Sequence, residues 1–583
     1  MLPATTETLS ARIRAGRRER AALTVVALAL GTLVLLAFPL VVSGDRSFLH
    51  LDLFYEFTPV WHAAQQALVA GDSPFWLAGQ YCGHPLLFTQ EVPLFYPLAP
   101  LLLLSGLPAH RLTDVFTLFH FWLAGVSAFL LVRDLTGRHV GASLFAAIAW
   151  MLSARALQSS IWPSSVATMA LLPLCVLGLS RLGRPRCRVS GAGTLAIAGG
   201  LSILTWRVQS LWSSLPLLAT IAIATVLRSR DRRRTVATLV IASCLGVGLG
   251  APALLTSAAV YPETSRAGGL DPRARDFGAL SEGKQIDQVF LPRDGLKRWP
   301  EAAAYPGVLT YLLLAAALVL ALRKSGGVDR GSLAALAVAG AVSLALAFGE
   351  AGPYRLIADV PVVRSLRVPA RFLVGWSFFL AIGSSLAIPA LERRLGRSGR
   401  VATGLAIAFL AGDLVLHARR SAPTVPGEVY RVEPRIVEYL RRLPPDASGA
   451  SPRYLTLAPG LPLPAITDAS RADAVEALEP LAHARGMLYG LRGVSGGGPA
   501  LARTDALLTA GTVRAARLAG AQRIILPEPG SPLPAAGDAP PGLFVHLVPD
   551  SLPSAFVAQR TVQAPAARSL EVALQGAFDP RET

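Results

Sequence analysis

The chain is poor in charge and in sulfur. Of its 583 residues 16% are charged, four are cysteine and four are methionine. Charge this sparse cannot cover the surface of a soluble protein of such length. With 52% hydrophobic residues and a mean hydropathy of +0.48, the composition is that of a polytopic membrane protein. The cysteines form no framework: Cys82 is expected outside the membrane, and Cys175, Cys187 and Cys244 fall in or near apolar spans. A disulfide network and a Cys-ligated zinc are therefore not expected. Acidic residues are also few, 37 against 55 Lys plus Arg, for a formal charge of +18. Much of the excess sits in short clusters beside apolar runs. That distribution reads as a set of topology signals and not as a nucleic-acid surface. The sequence has no Asp-Asp or Glu-x-Glu pair, and His50, His62 and His84 have no metal-ligand spacing. No metal site and no cofactor is expected.

What the chain has in quantity is apolar runs punctuated by arginine. Arg12, Arg14, Arg17, Arg18 and Arg20 precede a first span at Ala21–Ser43, with no small-residue cleavage site after it. This predicts a cytoplasmic N-terminus, residues 1–20, and an uncleaved first helix. Further spans are expected near Leu112–Val132, Val140–Ala154, Val166–Leu182, Gly191–Thr205, Val208–Leu227, Thr235–Val260, Tyr305–Leu322, Ser332–Phe348, Phe372–Ile388 and Val401–Leu416. If these alternate, the inner connections are "RDLTGRH", "RLGRPRCR", "RSRDRRR", "RKSGGVDR" and "ERRLGRSGR", every one of them basic. About eleven helices over residues 21–420 thread consistently with the positive-inside rule. The segment Leu94–Ser105 is too short to span and reads as a dipping or interfacial piece. Outer loops are then expected at 44–111, 155–163, 261–304 and 349–371. Residues 421–583, rich in Pro and Gly with short strand-like and helix-like runs, should form an extracytoplasmic α/β domain.

The first outer loop stands apart. It is polar, acidic and aromatic, and carries Asp52, Glu56 and Glu91 near the membrane. Leu53, Phe57, Val60, Ala64 and Leu68 recur at helical spacing, which predicts an amphipathic helix along the outer surface, ended by Gly71-Asp72-Ser73-Pro74. Asp52 and Glu56, four residues apart, would be neighbours on it, so that one of the two would hold its proton more tightly and suit a proton acceptor. A plain solvated face fits the same spacing.

The run from Asp52 through "AGDSPFWLAGQYCGHPLLFTQEVPLFYPLAPLL" resembles the opening of the YfhO-like and 6-pyruvoyl-tetrahydropterin synthase-related membrane proteins. Their pattern is an Asp after the first span, then G-x-x-P-x-W, G-x-P and an aromatic-Pro stretch. "YPGVLTYLLLAAAL", "LAFGEAGPYRLIADVPVVRSLRVPARF", "LYGLRGVSGGGPALARTDALL" and "DSLPSAFVA" are similar to later segments of the same group, in the same order. The resemblance implies a GT-C glycosyltransferase bundle, with an essential acid in the first outer loop and a polyprenyl-phosphate sugar as donor. By position Asp52 matches that acid, and Glu91 a second acid present in some relatives. Many such proteins continue past an F-D-P-x-x-T segment, whereas this sequence stops at "AFDPRET", as expected of a naturally short or truncated member.

Transfer from a lipid-phosphate donor needs a base for the acceptor hydroxyl and cations for the departing phosphate. Asp52 is the candidate base, with Glu56 and Glu91 beside it. Arg155, Arg207, Arg367 and Arg371, at outer span ends, are the candidate phosphate ligands, with Arg266 and Lys284 weaker ones. Trp76, Tyr81 and His84 are candidate sugar or acceptor contacts, as are Trp61 and Tyr96, although interfacial anchoring explains such aromatics equally. The reading is a glycosyltransferase of the bacterial cytoplasmic membrane acting on an envelope glycan or lipid acceptor. Two others compete with it. Gly- and Pro-containing spans such as "CLGVGLGAPALL" could be the broken helices of a transporter or flippase, although the spans carry few ionisable residues. A non-catalytic envelope scaffold would need no site at all.

Overall fold

The computed structural model describes residues 6–86, 91–205, 208–282, 286–291, 300–323, 328–457, 481–482, 484–494, 513–526, 533–540 and 544–552. Each of the eleven apolar segments contains a helix. Among the described residues seven helices are long and apolar enough to cross a membrane: Glu19–Ala37, Ala109–Leu135, Pro163–Leu182, Pro185–Leu204, Val208–Arg228, Pro369–Leu395 and Arg397–Ser421. The chain is thus a mainly helical membrane protein. Three further helices, Val140–Met151, Val308–Leu322 and Arg330–Leu346, are shorter, of 10–17 residues. At 1.5 Å per residue they reach about 18–26 Å, less than the roughly 30 Å of a hydrocarbon core.

The expected single span over Thr235–Val260 is two helices, Arg232–Leu249 and Ala251–Val260, bent by 68° where they meet. Gly250 marks the break and Pro252 lies in the first turn of the second helix, where its missing N–H costs nothing. The break does not open a cavity. A Cβ on Gly250 would fall 2.4 Å from the Ile203 side chain, and one on Gly200 2.9 Å from the Gly246 carbonyl oxygen. These glycines let two backbones pack closely, as small residues do between membrane helices.

Burial sorts the bundle. Within their apolar windows Pro369–Leu395 is 94% buried and Pro163–Leu182 83%, so these run through the centre, while Glu19–Ala37 at 17% lies on the rim. Asp413, an acid within the long helix Arg397–Ser421, is structural. Its Oδ2 accepts from the Tyr305 hydroxyl at 2.8 Å and from the Val308 N–H at 3.1 Å, capping the helix Val308–Leu322.

The segment Leu94–Ser105 holds a single short helix, Leu98–Leu103. After the last long helix the strand Thr424–Pro426 pairs antiparallel with Arg46–Phe48 at the start of the first loop. Ser47 and the Phe48 N–H both donate to Asp114, itself paired with Arg111 at 3.1 Å, which fixes that strand to the helix Ala109–Leu135. Farther along, Arg453–Thr456 lies between Arg492–Gly493 and Ala521–Leu526, parallel to both, and Phe544–Leu547 adds antiparallel at the edge. Ile436, Val437 and Leu440 of the helix Arg435–Arg442 pack on Tyr454, Ile525 and Val545 of this sheet.

Candidate active site at Asp52

The first-loop helix does not begin as a regular α-helix. Leu53–Phe57 form a π-helical turn, in which the Thr58 N–H reaches the Leu53 carbonyl, and all five of its side chains are buried. Such turns widen the helix and often occur at functional sites. The helix Thr58–Ala70 continues it and ends at Gly71 in the left-handed conformation. Residues 484–489 cover the widened turn: the Ala484 N–H donates to the Tyr55 carbonyl at 3.1 Å. The fully buried Arg485 guanidinium lies 4.0 Å over the Phe54 ring and donates to the Phe54 and Val429 carbonyls. The whole segment is sealed except for its first residue, Asp52, which stays exposed.

Asp52 is held from a second element. The Trp162 indole N–H donates to Asp52 Oδ2 at 2.8 Å. Trp162 immediately precedes Pro163 at the first position of the central helix, so its place is set by that helix start. The Asp52 N–H donates to His50 Nδ1 at 3.3 Å. Burial lowers the His50 pKa, partly offset by the Asp52 and Glu301 carboxylates. His50 is therefore neutral at pH 7 and an acceptor at Nδ1.

Two cations complete the group. Arg371 lies 4.5 Å over the Trp162 ring and pairs with the buried Glu301 at 3.3 Å. Arg155, on a short helix capped by Ser153, donates to the Glu301 carbonyl oxygen and, at 2.7 Å, to Gln158 Oε1. Burial pulls Arg155 down to about 10, so it remains charged at neutral pH. Arg155, Arg371 and Trp162 line a cleft whose remaining wall is largely hydroxyl, with Ser159, Ser165, Thr168, Ser210, Ser213 and Ser214. A second cleft of ≈ 260 Å³ shares Ser213 and Arg371 and includes Arg367. The arrangement sets an exposed carboxylate beside buried cations, with neutral donors and acceptors between helices.

Four expected residues thus meet: Asp52, Arg155, Arg371 and, one cleft further, Arg367. Arg207 and Lys284 lie outside the described residues. Arg266 donates to the Ser365 carbonyl at 3.4 Å and lines neither cleft. Glu56 is a correction. The π-turn and the loop that follows bury it, and its carboxylate accepts from the Gln80 amide, so it is not paired with Asp52. Glu91 is also buried away from the cleft, beside Trp61, whose N–H donates to its backbone carbonyl at 3.0 Å. Trp61 and Tyr96 belong to the apolar core, the latter bonded to His120 at 2.8 Å.

Trp76, Tyr81 and His84 sit on a hairpin, Trp76–Leu77 against His84–Pro85, that lines neither cleft. It packs on later sequence instead: the Gly493 N–H donates to the Gly79 carbonyl at 3.0 Å and Cys82 to that of Ala519. Burial lowers His84 from 6.5 to about 4. The unfolded chain then takes up the proton first, so the stability from neutral His84 is complete above pH 6.5 and is lost as pH falls toward 4. At pH 5 the loss should be roughly 2 kcal/mol. Thermal melts at pH 7.5 and pH 5 should show it, and His84→Gln should remove that part of the pH dependence.

Trp162, Glu301 and the serine wall were not found from sequence. Among the described residues no group of three or more His, Cys, Asp or Glu could hold a metal ion.

No protein-family model matches the chain, and no curated protein matches it. Among solved structures it is similar to arabinofuranosyltransferase AftD from Mycobacteria, with 17% identity over 87% of this chain and a TM-score of 0.47. The chain spans about a third of AftD, 35%. It is also similar to ArnT from Cupriavidus metallidurans. In the apo state the identity is 12%, with 92% of this chain and 99% of that one covered and a TM-score of 0.49. In the form bound to undecaprenyl phosphate the identity is 12%, the coverage 87% and 92%, and the TM-score 0.46. All three TM-scores are below 0.5, too low a likeness to assign an activity.

Proposed function

We propose that this membrane protein is a glycosyltransferase that moves a sugar from a polyprenyl-phosphate donor to an envelope glycan or lipid acceptor, with Asp52 as general base. The observation that carries the reading is Trp162, which lines a hydroxyl-rich cleft with Arg155 and Arg371 and donates its indole N–H to Asp52 beside that cleft. The family resemblance of the Asp52 loop points the same way.

In this mechanism the acceptor hydroxyl gives its proton to Asp52 as its oxygen bonds to the anomeric carbon. The bond from that carbon to the phosphate oxygen breaks, and polyprenyl phosphate leaves with one more negative charge. Arg371 and Arg155 are placed to hold that charge, and Arg binds phosphate oxygens through paired N–H groups. The serine and threonine hydroxyls are suited to sugar hydroxyls. Trp162 keeps the base oriented through its N–H while its ring face carries Arg371, so acid and cation keep a fixed relation.

We place this end of the bundle on the outer side, because the basic connections gather at the other ends of the same helices. Glu56 and Glu91 have no catalytic part in the reading. Against a transporter, the break at Gly250 is packed closely against the Ile203 side chain.

A structure determined with polyprenyl phosphate tests the assignment. The phosphate should lie within hydrogen-bonding distance of Arg155 or Arg371. A phosphate bound away from both would refute the cleft as the donor site.

A further inference from the structure

A further cavity lies at the other end of the helices that form the cleft beside Asp52. The helix Pro163–Leu182 starts at Trp162 and runs 20 residues, about 30 Å, to reach it. The cavity, of ≈ 270 Å³, opens between the ends of Ala109–Leu135, Pro163–Leu182 and Val208–Arg228 and the start of Arg330–Leu346. Its walls are apolar, with Val176, Ile221, Ala224 and Leu336, and its mouth is ionic.

The charges at that mouth are unequal. Asp134 is bound by two arginines, Arg181 at 3.0 Å and Arg184, which leaves one positive charge in excess. Arg228 pairs with Asp329 at 3.1 Å, and both partners are substantially exposed. Around them Arg186, Arg230, Arg232 and Arg233 are also exposed. Ser180, Thr225 and Ser332 add hydroxyl groups just inside. An apolar hollow between membrane helices that is rimmed by surplus arginine matches a molecule with one anionic head and a hydrocarbon body. Water would gain little from apolar walls, and a free anion would leave them uncovered.

We propose that this cavity binds one anionic phospholipid of the bilayer, its phosphodiester at Arg184 and Arg228 and its acyl part against Val176, Ile221 and Leu336. The lipid would bridge two ion-paired couples of helices at this end, Ala109–Leu135 with Pro163–Leu182 and Val208–Arg228 with Arg330–Leu346. The site is separate from the Asp52 cleft and does not depend on the reaction assigned there.

The test uses the full chain, purified in detergent and stripped of lipid. It is titrated with phosphatidylglycerol, phosphatidylethanolamine or inorganic phosphate, and retained lipid is counted by native mass spectrometry. One phosphatidylglycerol per chain is expected, held about tenfold or more better than phosphatidylethanolamine. Arg184→Gln with Arg228→Gln should weaken retention by a similar factor. Since that pair also breaks two ion pairs, Ala224→Phe serves as the second variant. It fills the hollow, keeps every charge, and should displace the lipid from a protein that still melts cooperatively. Equal retention of phosphatidylethanolamine, no lipid retained by the unmodified protein, or unchanged retention in both variants would overturn the proposal. Displacement of the phospholipid by millimolar inorganic phosphate would overturn it too, since it would mark a simple anion site.

Discussion

Asp52→Asn should lower glycosyl transfer about 100- to 10,000-fold, the range a positioned general base contributes. The substitution is nearly isosteric, and the amide oxygen can still accept the Trp162 N–H that now meets Asp52 Oδ2 at 2.8 Å. Local geometry should therefore survive while the proton acceptor is lost. Because the residue is exposed, little packing is at stake and the melting temperature should change little. The deficit should fall on kcat at saturating donor, with KM for the donor nearly unchanged. Glu56→Gln and Glu91→Gln provide the contrast. Both side chains are buried outside the cleft, so these variants should alter stability more than turnover. A kcat for Asp52→Asn within a few-fold of the unmodified protein would remove Asp52 from the mechanism.

Arg371→Gln should be nearly as damaging, by a different route. It removes one of two cations facing the donor phosphate, and a donor of this kind in a dry site is typically worth about 100- to 1,000-fold. It also strips the buried Glu301 of its partner, a loss that commonly costs about 3–5 kcal/mol. The two effects separate in the double variant Arg371→Gln with Glu301→Gln. There the orphaned charge is gone, so stability should largely return while kcat/KM stays low. Arg371→Lys keeps the charge but loses the planar stack on Trp162 and the paired N–H groups, and should fall between. If the double variant regained both stability and activity, Arg371 would be a structural residue only.

The parts legible in the sequence were those with local causes. Each apolar run contains a helix, seven of them among the described residues long and apolar enough to cross a membrane, and arginines at span ends included Arg155 and Arg371. Asp52 stood out by its position in the run that resembles a known family, since its spacing alone also fits a plain solvated face. Spacing misled at Glu56, since a regular helix would set it beside Asp52, whereas the π-turn over Leu53–Phe57 and the Gln80 side chain draw it inward. Nothing local announces that turn. It is sealed by Arg485, more than four hundred residues away in the chain. The same holds for Trp162 and Glu301. Their roles arise from contacts with Asp52 and Arg371, 110 and 70 residues distant, which no periodicity encodes. The break at Gly250 had a visible signal in Gly-Ala-Pro, but its 68° bend depends on how closely the helix passes Ile203. Aromatic and histidine residues of the first loop were the weakest guide, because core packing and hairpin docking use the same side chains as sugar binding.

The central claim is that the cleft beside Asp52 makes a glycosidic bond. The direct measurement is purified protein in sealed liposomes supplied with polyprenyl-phosphate labelled in its sugar, together with an envelope glycan or lipid extract as acceptor. The expected result is label in a new glycoside, one free polyprenyl phosphate released per sugar transferred, and neither product with Asp52→Asn. Labelled donor recovered intact on the opposite side of the membrane, with no new glycoside, would contradict the account.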